Sequence, residues 1–155
     1  MKHTQDGITV SIEHKEEYQH YRNHNDDKAS RFVKRAVKSI TIFGVEYSES
    51  FNEVVSFLIS VLRVFLQNKM GKHIYTWYVQ PDYAKHEDYH GSGPCENSIV
   101  AWKREESGDQ VLMIDSVDEE GQVLHSQMLD LRACMQLEMV LRRIFSFIIP
   151  ENPMT

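Results

Sequence analysis

The chain has 155 residues, of which 41% are apolar, 26% are charged and two are cysteine. That length suffices for one domain with its own core, and two cysteines are too few for a disulfide scaffold. A formal charge of −6 argues against direct nucleic-acid binding, which relies on Lys and Arg displacing the counterions of phosphates.

The start, MKHTQDGITVS, has neither the apolar core nor the small-residue cleavage site of a secretory leader, so a cytoplasmic location is expected. Residues 1–7 and 151–155 read as frayed tails of a single domain spanning 1–155. Ile8, Val10 and Ile12 alternate with polar residues as in a half-buried strand. The stretch after His14 has almost no aliphatic side chains and reads as an exposed loop or frayed helix. Asp26 or Asp27 then suits the cap of a short basic helix running to about Lys38. Its apolar face would hold Phe32, Val33, Ala36 and Val37, and its basic face Arg31, Lys34, Arg35 and Lys38.

Charge divides along the chain. Up to Lys38 there are eight Lys/Arg against six Asp/Glu, whereas the remainder has nine against seventeen. SITIFGVEY supplies a β-rich run ending near Tyr47. Ser50 and Glu53 then have the capping-box spacing that opens a helix. In that helix Asn52, Glu53, Ser56, Ser60, Arg63 and Gln67 recur every three or four residues, which leaves one narrow wet stripe on a nearly enclosed cylinder. Its serines and Arg63 leave it short of the roughly 20 clean apolar residues of a membrane span, and Gly71 suits its cap.

HIYTWYVQ (73–80), SIVAWKRE (98–105), QVLMIDSV (110–117) and QVLHSQML (122–129) are rich in β-branched and aromatic residues. The short turns ESGD and DEEG between the last three predict an antiparallel meander, because such turns cannot join parallel neighbours. Asp130 suits the cap of a final helix carrying Leu131, Cys134, Leu137, Met139, Leu141, Ile144 and Phe145; two such helices would cover one face of the sheet, and spare apolar surface would suit a dimer or a partner. The predicted architecture is α+β: an antiparallel meander of about four to five strands packed against two strongly apolar helices, with the shorter basic helix beside them.

Chemistry-bearing residues gather in PDYAKHEDYHGSGPCEN, 81–97. His86, Asp88 and His90 alternate, so an extended backbone would point all three the same way, a donor set that suits zinc or non-haem iron. Cys95 is a candidate nucleophile if an imidazole stabilises its thiolate. These residues define an alternative reading as a small metal- or cysteine-dependent enzyme centred on 82–95. His20 and His24 have the spacing of a helical zinc pair but lack the intervening glutamate of the protease motif. Cys134, within an apolar helical pattern, reads as a buried thiol.

Acids interleaved with tyrosine carry the leading expectation. Asp82, Tyr83, Glu87, Asp88 and Tyr89 lie in one segment, and Asp115, Asp118, Glu119 and Glu120 surround one hairpin turn. Tyrosine offers a stiff contact surface with a polar tip, and carboxylates steer a basic partner. In size, acidity and these stretches, PDYAKHEDYH and DSVDEE, the chain resembles the small acidic immunity proteins of bacterial toxin systems. That resemblance implies a non-catalytic inhibitor, without cofactor, that covers the basic active site of a cognate toxin such as a nuclease. A secretion chaperone or adaptor is the remaining expectation, with the chain as monomer or homodimer, and no membrane or direct nucleic-acid partner is expected.

Overall fold

The computed structural model describes residues 1–20, 30–47, 49–78 and 97–148. The architecture is α+β, with two antiparallel four-stranded sheets and two long helices. The first sheet runs in the order β1 (Lys2–Gln5), β2 (Ile8–His20), β3 (Ser30–Ile42), β4 (Val45–Tyr47). After α1 (Phe51–Leu66) comes the second, β5 (Tyr75–Trp77), β6 (Ser98–Glu106), β7 (Asp109–Val117), β8 (Val123–Leu129), followed by α2 (Leu131–Ile148). Both sheets are meanders in chain order, with short turns joining β1 to β2, β3 to β4, β6 to β7 and β7 to β8.

Three of those turns are two-residue loops in which both residues have positive φ: Asp6–Gly7, Phe43–Gly44 and Ser107–Gly108. Their twist matches that of the strands they join. At Gly7 space adds a second constraint, because a Cβ there would come within 2.9 Å of the Phe43 ring. The Phe43 ring also lies 5.9 Å from that of His125 on β8, so the turn at 43–44 ties one sheet to the other. Tyr47 adds a second tie, its hydroxyl donating to the Asn97 carbonyl and its ring meeting Trp77 edge-on at 5.7 Å.

One core unites these layers. Ile8, Val10, Ile40 and Ile42 from the first sheet meet Ile99, Ala101, Leu112 and Leu129 from the second, with the buried faces of both helices completing the cluster. α1 behaves as its sequence predicts: Asn52, Glu53, Ser56, Ser60, Arg63 and Gln67 are all exposed, and eight apolar residues are buried. Its ends differ from expectation. Ser50 occupies the N-cap without a side-chain hydrogen bond, so the capping box is not formed. The C-terminus closes three residues before Gly71, at Asn68, whose φ of 55° takes the left-handed role. The Asn68 and Lys69 amides return to the carbonyls of Phe65 and Val64, the paired bonds of a Schellman motif. Asparagine tolerates this conformation nearly as well as glycine, and the earlier of the two residues ends the helix.

The basic helix expected up to Lys38 is not formed, since Ser30–Ile42 is a thirteen-residue strand. It pairs residue for residue with β2, from Ile8↔Ile42 to His20↔Ser30. β2 likewise extends to His20, into the first part of the segment read as a loop or frayed helix, the rest of which lies outside the described residues. Register explains both. It joins the two strands backbone to backbone over thirteen consecutive positions, a ladder that local propensity does not foresee. Among the described residues β1 pairs only with Ile8–Ser11 of β2 and β4 only with Ile40–Ile42 of β3. Residues 2–5, read as part of a tail, form β1 against Ser11–Ile8.

α2 starts as predicted: the Asp130 carboxylate accepts the Ala133 amide at 2.7 Å, and its carbonyl accepts that of Cys134. The Gln5 side chain donates to the Ala133 carbonyl, fixing this end of α2 to the first sheet. Glu138, 8% exposed, lies between Arg63 of α1 at 3.3 Å and Arg142 at 3.6 Å. Among the described residues no helix is long and apolar enough to cross a membrane.

Candidate functional site

The residues expected to form a site fall into two groups. Asp82, Tyr83, Glu87, Asp88 and Tyr89, together with His86, His90 and Cys95, lie outside the described residues. His20 is the last residue of a strand, so the helical spacing to His24 does not apply there, and His24 is itself outside the described residues. Among the described residues no group of three or more His, Cys, Asp or Glu is gathered in a way that would hold a metal.

The four acids of the β7–β8 hairpin are described, and they do different things. Asp115 is 5% exposed. Its Oδ2 accepts the Trp102 indole N–H at 2.7 Å, and its Oδ1 accepts the Ser126 hydroxyl. A carboxylate so enclosed links β6, β7 and β8 and is withdrawn from any partner, which corrects its expected place on the acidic surface. Asp118 works within the turn. Its Oδ1 accepts the amides of Glu120 at 2.9 Å and Gln122 at 2.8 Å, and its own amide donates to the Gln122 carbonyl. This is an aspartate satisfying the turn that follows it. Glu119 and Glu120 remain exposed at the tip. The hairpin thus spends two acids on construction and presents two.

A second surface was only partly visible in the sequence. α2 buries Cys134, Leu137, Leu141 and Ile144, while Leu131, Met135 and Met139 are 55%, 56% and 48% exposed. Their i, i+4, i+8 spacing makes one straight row on the outer side of the helix. Leu131 and Met139 are among the apolar residues that the sequence assigns to this helix, while spare apolar surface is expected of the two helices without a place on either. Met135 was missed, although apolar residues at 131, 135 and 139 beside those at 134, 137 and 141 exceed what one buried face holds.

At its N-terminal end the row runs into an open groove of 710 Å³ between α1, the β6–β7 turn and β8. Leu66, Met128 and Leu131 supply apolar lining, Glu106, Asp109 and Asp130 supply carboxylates, and Arg132 supplies one guanidinium. At the other end the row meets Arg142 and Arg143, both exposed.

Two groups titrate far from their usual values. Burial pushes the Cys134 thiol up to about 12, with the charges of Asp130 and Asp6 adding to the effect. A thiol held protonated in this way is a core side chain rather than a nucleophile. Burial likewise pushes the Tyr47 hydroxyl up to about 12.

No protein-family model, curated protein or solved structure matches this chain.

Proposed function

We propose that the protein is a non-catalytic binding protein that engages a basic protein partner through the β7–β8 tip, and that it acts as an inhibitor of the immunity type. The observation that carries this reading is the turn itself. Asp118 holds two backbone amides, so Glu119 and Glu120 are offered to solvent on a backbone already in place. Pre-ordering of this kind lowers the entropy lost on binding, and adjacent carboxylates imitate the phosphates for which a nuclease groove is built.

The test uses the full chain as bait in lysate of its source cells, beside a Glu119→Lys/Glu120→Lys variant. Wild-type bait should retain one basic protein in stoichiometric amount, held more weakly as salt rises, and the variant should lose it. If the variant retains the same protein with unchanged association and dissociation rates at low salt, the tip is not the binding surface. An adaptor or secretion chaperone is the second reading, favoured by one observation, the exposed row Leu131, Met135 and Met139.

A further inference from the structure

We propose that the outer face of α2 binds a second copy of this chain, with the two α2 helices antiparallel about a two-fold axis at Met135. The proposal stands independently of the partner assigned to the β7–β8 tip. Leu131, Met135 and Met139 expose a continuous apolar row in a chain of net charge −6. Covering such a row removes apolar area from water, and methionine adapts its shape to an opposing surface.

Charge selects the occupant. One end of the row opens into a groove whose lining carries Glu106, Asp109 and Asp130 against Arg132, with Glu106 paired to Arg104, so that it stays net acidic; at the other end Arg142 shares the single carboxylate of Glu138 with Arg63, which leaves that end net basic. A matching occupant is therefore a helix with apolar residues at i, i+4 and i+8, cationic at the end that reaches the groove. α2 itself meets that description. Placed antiparallel about Met135, each copy's Leu131 faces the other's Met139, and each copy's Arg142 end approaches the other's net acidic groove. A parallel arrangement would set arginines against arginines. The antiparallel one also opposes the helix dipoles and is isologous, the commonest form of dimer. A stable interface buries roughly 800 Å² per partner, more than three side chains supply, so Met128 and the groove must take part.

The experiment is sedimentation equilibrium of the full chain from about 1 to 200 µM, a span that brackets the dissociation constant of a modest self-association. Wild type is expected to pass from monomer to dimer across that span. Met135→Arg places two like charges at the axis and should weaken the dimer at least about 30-fold, as loss of a central contact does. Because Met135 is exposed, the variant's thermal midpoint at low concentration should match wild type. Met135→Cys in a Cys95→Ser background should form a disulfide-linked dimer under mild oxidation, since the residue on the axis faces its own copy. The proposal is overturned by a wild type that stays monomeric throughout. It is overturned equally by a dimer that Met135→Arg leaves intact, or by one in which Met135→Cys does not cross-link.

Discussion

α1 and α2 are of similar length and pack against each other, yet they are finished differently. α1 lies between its partner helix and both sheets, and every strongly polar position in it falls on one narrow exposed stripe. α2 buries a single face and leaves Leu131, Met135 and Met139 in solvent. The apolar residues of α1 are accounted for by the fold of one chain, and those of α2 are not. Surplus apolar surface on a helix that is already well anchored, by its Asp130 cap and by Glu138 between Arg63 and Arg142, points outward to another surface.

The contrast is broken most severely by truncation in α1. Leu62 is fully buried, so Leu62→Ala should cost about 2–5 kcal/mol of unfolding free energy in a denaturant titration. A loss under about 1 kcal/mol would mean that α1 is not the centre of the core. Asp115→Ala comes next, at about 1–3 kcal/mol, because it leaves the half-buried Trp102 indole N–H without its acceptor. Removing the α2 cap by Asp130→Ala should cost about 1 kcal/mol. Met135→Ala should stay within about 0.5 kcal/mol of wild type at low concentration, as exposed substitutions do. A larger cost there would place Met135 inside the fold of the single chain and remove the contrast.

Adjacent residues of α2 sharpen the comparison chemically. Cys134 is buried with its thiol pushed up to about 12, whereas Met135 beside it is exposed. Alkylation of Cys134 at neutral pH should therefore be far slower than that of a free thiol. Its folded value lies above the unfolded one, so its contribution to stability is complete below the unfolded value of about 9 and lost as pH rises towards 12. Tyr47 has the same sign from about 10 upward. Denaturant midpoints should fall steadily across this alkaline range, and Tyr47→Phe should flatten the upper part of the fall.

Where local pattern and tertiary context agree, the elements were legible. The wet stripe of α1 repeats at the helical period, the Asp130 cap is a local signal, and the three segments that became β6, β7 and β8 are marked by β-branched residues and the short turns between them. The failures share a cause. From Ser30 to Lys38, charges and apolar residues fit a helix face as well as a strand, and the decision comes from pairing with β2, some twenty residues earlier, which no local pattern encodes. Asp115 looked like its neighbours Asp118, Glu119 and Glu120, although its place opposite Val100 and Ser126 turns it into an enclosed acceptor. Gly71 lost the helix terminus to Asn68 because the chain turns at the first residue that tolerates the left-handed conformation. The acid- and tyrosine-rich residues 81–96 lie outside the described residues, so that half of the expected site stays as the sequence alone presents it.

That α1 is finished by its own chain and α2 by a second copy is tested most directly by following peroxide oxidation of individual methionines against protein concentration. Met70 and Met113, 2% and 5% exposed, should be protected at every concentration. Met135 and Met139 should oxidise quickly in dilute solution and become protected as concentration rises through the dimerisation range. Equal oxidation of Met135 at both extremes would contradict the claim.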